Sequence, residues 1–123
     1  MKDPAPKEWV ENAYRRLDDA RFLCADGRAR TATSQVYYAL YYACRALLEK
    51  KEFYFQRHTS VTSNVGRVER YRRHLNTSFP TVMQYRREQC DYELFTPNPD
   101  EVSTWIEEAS RFISRAEQLL EAS

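Results

Sequence analysis

Histidine and arginine are the residues of this chain whose types and spacing fit a defined chemistry. His58 and His74 are the only two histidines among 123 residues. Between residues 57 and 87 stand seven arginines, Arg57, Arg67, Arg70, Arg72, Arg73, Arg86 and Arg87, against Glu69 alone. A guanidinium can hold two phosphate oxygens at once and stabilise charge that builds in a pentacoordinate transition state, while an imidazole moves protons near neutral pH. The pairing suits phosphoryl chemistry on RNA. Arg67 and His74 stand seven residues apart, so on a continuous helix they share a face, and Arg70 and His74, at i and i+4, do so more closely. The plainer reading is that His74 is a surface residue and the arginines solvate helix faces.

Other chemistries find no support in the residues. Two histidines without a Cys-x-x-Cys, His-Glu-x-x-His or calcium-loop pattern leave no expected metal site. The glycine-rich signatures of nucleotide cradles and the Gly-x-Ser-x-Gly elbow do not occur either, so no cofactor is expected. Cys24, Cys44 and Cys90 are odd in number and far apart, which suits reduced thiols in the core better than disulfides. From Glu88 onward, nine acids face only Arg111 and Arg115, so a basic middle meets an acidic tail although the net charge is +1.

These residues must be positioned by helices. With 42% hydrophobic and 30% charged residues and only Gly27 and Gly66 as glycines, the chain reads as one folded all-α domain spanning 1–123, with 1–6 as an N-terminal tail. Val10, Ala13, Leu17, Ala20 and Leu23 recur at threes and fours and predict a helix from Lys7 to Asp26, ended by Gly27. A second helix, Thr31 to Lys51, carries Val36, Ala39, Leu40, Ala43, Cys44 and Leu47 on one stripe. Tyr37, Tyr38, Tyr41 and Tyr42 widen that stripe and belong either to the core or to a dimer interface. Glu52 to Ser60 breaks the period and is expected as a connection. A third, arginine-rich helix is expected over Val61 to Leu75, a fourth from Pro80 to Tyr92, and a last one that opens on Asn98 as N-cap and Pro99 at its first position. Four to five helices with short joins predict an up-and-down bundle. The longest apolar stretch, Val36 to Leu48, is too short and too polar to span a bilayer, and no secretory signal is visible, so a cytoplasmic protein is expected.

The second helix also carries a resemblance. Tyr37-Tyr38-Ala39-Leu40-Tyr41-Tyr42-Ala43-Cys44-Arg45-Ala46-Leu47-Leu48 resembles the Tyr-Tyr-Ala-x-(Phe/Tyr)-x-Ala-x-(Arg/Lys)-Ala-Leu-Leu helix of the HEPN family, the higher eukaryotes and prokaryotes nucleotide-binding domains. The small stand-alone branch of that family tends to place a histidine after this helix, where His58 sits, and to end its fourth helix on Arg-x-x-x-Asp-Tyr, matched from Arg87 to Tyr92. The resemblance covers roughly residues 10 to 120.

It implies a bundle that forms a homodimer, often beside a minimal nucleotidyltransferase in toxin and antitoxin pairs. Active members are metal-independent ribonucleases in which two Arg-x(4 to 6)-His motifs meet across the dimer. Arg67 and His74 fit the six-residue spacing and are the first catalytic candidates; His58 with Arg57 is the second pair, for His58 fits the branch's position but has no arginine four to six residues before it. Arg57, Arg70, Arg73 and Arg87 are the candidate phosphate or RNA contacts. The tyrosine that in some toxins forms His-x-Tyr is absent, since Ser60 and Asn76 hold those positions. The resemblance thus implies either an RNA-binding or RNA-cleaving dimer, cleaving by in-line attack of a ribose 2′-hydroxyl or water, or a non-catalytic module that docks a nucleotidyltransferase or binds a nucleotide.

Overall fold

A computed structural model describes residues 4–122. The part of the expected tail at residues 1–3 lies outside the described residues, and the first helix opens at Pro6, the residue at which a missing amide costs nothing. Among the described residues there are six α-helices and no strand: α1 (Pro6–Ala25), α2 (Ala29–Lys50), α3 (His58–Asn64), α4 (Glu69–His74), α5 (Phe79–Tyr92) and α6 (Pro99–Glu121). The fold is the all-α bundle that the periodicity predicts.

The longest elements end where local chemistry ends them. Gly27 takes φ +79° after α1, and the amides of Gly27 and Arg28 return to the carbonyls of Cys24 and Leu23, which closes the last turn. The end of α2 repeats this device without glycine: Glu52 holds φ +63°, and the amides of Glu52 and Phe53 return to Glu49 and Leu48. At α6 the Asn98 side chain accepts from the Asp100 amide, Pro99 takes the first turn, and Asp100 and Glu101 face the positive end of the helix dipole.

Helix α2 is the axis of the bundle, packed against α1, α5 and α6, with α3 against its middle. Its apolar stripe is fully withdrawn from water, as are Ala13 and Leu17 of α1 and Val102 and Ile113 of α6. Of the cysteines, Cys44 and Cys90 are core residues, and burial raises both thiols; Cys24 is only half-buried, its Sγ 3.7 Å from the Pro99 carbonyl.

The expected third helix is not continuous. Residues 58–74 form α3, a 3₁₀ turn over Val65–Arg67 and α4, separated by Val68 in an extended conformation (φ −86°, ψ 111°). Val61, Val65, Tyr71 and Leu75 reach the core from this broken path. The short pieces are tied to α2 by Tyr71, whose buried hydroxyl donates to the Leu47 carbonyl at 2.7 Å. Replacing Tyr71 by Phe removes that bond while keeping the ring. It is expected to lower stability by about 1–2 kcal/mol, read as a lower urea midpoint at unchanged slope.

No helix among the described residues is long and apolar enough to cross a membrane.

Candidate functional site

Residues Tyr37, Tyr41, Arg45 and Glu49 follow one another at i, i+4 along α2 and so form one stripe of its surface. Glu49 is buried, and two donors satisfy it: Arg45 Nε at 2.6 Å and Trp9 Nε1 of α1 at 3.2 Å. Arg45 uses a second nitrogen, Nη1, to donate to the Tyr41 hydroxyl at 2.8 Å, and its guanidinium lies 4.7 Å from the Trp9 ring centre. Each member is therefore held by the next, which fixes the Tyr41 ring.

His58 lies on that ring. As the first residue of α3, it stacks on Tyr41 with centroids 3.9 Å apart and planes 16° apart, while Tyr37 and Tyr38 stand 6.4 and 6.3 Å away. One face of the imidazole is thus covered by tyrosine, and the residue remains exposed to solvent. Helix α5 brings Arg87 to the same tyrosines, its guanidinium carbon 5.3 Å from the ring centres of both Tyr37 and Tyr38. Helix α1 adds Arg16, 5.7 Å from Tyr38 and Tyr42. Three arginines, four tyrosines and one histidine from four helices converge on one surface.

Electrostatics follow from that convergence. Loss of water on the ring face that Tyr41 covers, then the positive charges of Arg87 and Arg45, hold the His58 pKa below its ordinary 6.5, so the neutral ring predominates at pH 7 and has a nitrogen free to accept a proton. Burial pushes Tyr37 up to about 12, with Arg87 opposing, so its hydroxyl stays protonated. Among the described residues, that buried hydroxyl has no hydrogen-bond partner, and neither has Arg87 Nε. Asp91 Oδ2 lies 3.3 Å from Arg87 Nε, close enough for an ion pair but not aligned for a hydrogen bond. Arg87 Nε is itself buried, but among the described residues no hydrogen bond occupies the terminal nitrogens of Arg87, whose charge is felt at His58.

The other candidates are dispersed. Arg67 ends the 3₁₀ turn and lines a hollow with Phe53 and Phe55, whereas His74 ends α4 and meets Arg115 of α6. The extended Val68 between them removes the shared helix face that their spacing predicts. Arg70 does share α4 with His74, and Arg73 of the same helix is paired with Glu69 at 2.9 Å. Arg57 is exposed just before His58. Of the tyrosines, Tyr37 and Tyr41 are core residues, and Tyr38 and Tyr42 are half-buried at the edge of the cluster.

Arg45 and Arg16 stand in this cluster without being among the site candidates that the sequence suggests. The i, i+4 run from Tyr41 to Arg45 to Glu49 was a readable signal for the first; nothing in the sequence marks Arg16. Among the described residues, no group of three or more histidine, cysteine or acidic side chains could hold a metal ion.

The chain is similar to known proteins. The model of the family described as HEPN domain matches residues 6–122. A "UPF0332 protein" of Thermotoga maritima is 28% identical over 98% of this chain and 94% of its own length. A protein of Methanocaldococcus jannaschii named "Putative toxin" is 27% identical over 90% of this chain and 85% of its own.

Proposed function

Since the chain belongs to the HEPN domain family, we propose that it cleaves RNA without a metal ion, with His58 as the proton-transfer group and Arg87 as the phosphate-holding group. The observation that carries this reading is the exposed His58 imidazole, stacked 3.9 Å on Tyr41 in a cluster that also holds Arg87 and Arg45. A relative that carries the name of a toxin is in keeping with this reading.

The chemistry is an in-line transfer. Neutral His58 accepts the proton of a ribose 2′-hydroxyl as its oxygen attacks the adjacent phosphorus; the bond to the 5′-oxygen breaks, and that oxygen takes a proton from an acid. Arg87 balances the charge on the non-bridging oxygens, and the product ends are a 2′,3′-cyclic phosphate and a 5′-hydroxyl. One imidazole cannot serve as base and acid in the same step. A homodimer would supply the second as the same residue of a two-fold-related copy. Val82, Tyr85 and Tyr92 stand exposed at helical spacing on α5 and offer an apolar face to another chain, around the helix from Arg87.

The purified protein is expected to cut single-stranded RNA in excess EDTA, leaving cyclic-phosphate ends that mass spectrometry identifies. Folded protein that leaves RNA intact would favour instead a module that docks a nucleotidyltransferase through the exposed face of α5.

A further inference from the structure

The buried charge of α2 calls for a reason. Glu49 is 8% exposed on a stretch of helix whose neighbouring positions, Ala46, Leu47 and Leu48, are apolar and fully buried. Taking a carboxylate that far out of water is costly, and its attraction to a partner cation does little more than offset the cost, so an apolar pair of similar shape is often as stable or more so. Stability alone therefore does not account for the pair of Glu49 with Arg45. What the pair fixes is direction. Given His58 as the proton-transfer group, a reading on which this inference rests, we propose that Glu49 and Trp9 are positioning residues: through Arg45 and Tyr41 they hold the His58 imidazole in its reacting orientation.

The imidazole has little else to hold it. Among the described residues its nitrogens make no hydrogen bond, and it stands at the first position of a helix of only seven residues. Its close contact is the Tyr41 ring, 3.9 Å away and 16° from parallel, so a displaced tyrosine ring displaces the imidazole. Tyr41 is tethered at its far end, where the hydroxyl accepts from Arg45 Nη1 at 2.8 Å. Arginine alone makes a loose tether, since its side chain carries about 2 kcal/mol of rotamer entropy. Here Glu49 Oε2 takes Arg45 Nε at 2.6 Å, and the Trp9 ring lies 4.7 Å from the guanidinium carbon. Trp9 also donates to Glu49 Oε1 at 3.2 Å and stacks on Tyr42 with centroids 5.4 Å apart, so α1 anchors both the carboxylate and the guanidinium. Both oxygens of Glu49 face donors. An amide accepts at one oxygen only, so Glu49→Gln must turn an N–H toward Arg45 or Trp9 and release one of them.

NMR of the whole chain reads the stack directly, because protons that lie over an aromatic face are shifted upfield. In alkaline buffer, where imidazoles are neutral, the His58 ring protons are expected upfield of those of His74. Glu49→Gln and Tyr41→Phe, the second keeping the ring but not its hydroxyl, should return them most of the way toward His74, and Trp9→Phe should move them less in the same direction. In single-turnover cleavage Glu49→Gln and Tyr41→Phe should lose rate about 10- to 100-fold with RNA binding unchanged, the cost of misplacing a reacting group by about an ångström. Tyr71→Phe also loses a buried tyrosine bond to α2, yet it should alter neither the His58 signals nor the rate, which separates positioning from a general loss of stability. If circular dichroism shows Glu49→Gln unfolded, Tyr41→Phe and Trp9→Phe carry the test. His58 signals that stay in place in the folded variants, or that move as far in Tyr71→Phe, would overturn the inference. The NMR arm needs no RNA: a parent that leaves RNA intact while its His58 signals still follow Glu49 would remove the cleavage reading and leave the tether standing.

Discussion

Replacing His58 by alanine is expected to slow RNA cleavage about 100- to 10,000-fold, the range spanned by single general acid or base groups. The fold should survive, because His58 is exposed and its contact with Tyr41 lies at the surface of a core that Tyr37, Leu40 and Leu47 already fill. His74→Ala should leave the rate within about twofold, since an exposed side chain outside the reacting cluster is not asked to supply transition-state binding. Single-turnover cleavage of one defined oligonucleotide by both variants and the parent measures this. The opposite pattern, activity lost with His74 and kept without His58, would move the reacting phosphate to His74, where α4 meets α6. It would also end the assignment of the tyrosine cluster as the cleavage site.

The sequence's ambiguity between the two histidines has a physical origin. Val61, Val65, Val68, Tyr71 and Leu75 recur at threes and fours, the spacing of one amphipathic helix. The chain uses that spacing differently, turning at Val65–Arg67 and passing through the extended Val68 so that two short helices each send residues inward. A side chain at Gly66 would come within 3.0 Å of Thr77 Oγ1, and the Gly66 carbonyl takes a bond from Arg72 Nη1 at 3.1 Å, so the turn closes on its neighbours. Periodicity reports which residues face the core but not whether the helix between them is unbroken. The Arg67 and His74 pairing rested on that continuity. Helices α1, α2, α5 and α6, by contrast, announce themselves through Gly27, the α2 stripe, Pro80 and the Asn98-Pro99 start, all local signals.

Half of the candidate site was legible in the same way. Tyr37, Tyr41, Arg45 and Glu49 share a stripe by arithmetic alone. The approach of His58 and Arg87 to that stripe is a product of α3 and α5 packing on α2, and contacts between residues 41 and 58 or 37 and 87 leave no mark in local spacing. The resemblance supplied what spacing lacked, since it pointed to a histidine after the second helix and to Arg87 through its Arg-x-x-x-Asp-Tyr end.

The Arg87 variants separate the two things a guanidinium does beside an imidazole. Arg87→Met keeps an aliphatic stem against Tyr37 and Tyr38 but removes both the charge and the donors. Cleavage at pH 7 is expected to fall about 100- to 1,000-fold, the loss seen when one preorganised donor to a developing oxyanion is deleted. The pH profile should move as well. Arg87 is the largest of the charges that lower the His58 pKa, so without it the imidazolium forms more easily and the pKa rises toward the ordinary value. The base form is present above its pKa; the acid limb of the kcat/KM profile, below pH 6.5 in the parent, should therefore shift upward in Arg87→Met. Arg87→Lys retains the charge but not the two-pronged donor, so it should lose rate while the limb stays in place. Parental cleavage by Arg87→Met, with an unshifted limb, would detach Arg87 from both roles and leave the cation to structure alone. A limb that shifts without loss of rate would keep Arg87 as a neighbour that tunes His58 and return the phosphate contact to Arg45 or Arg16, the other guanidiniums on the same tyrosines.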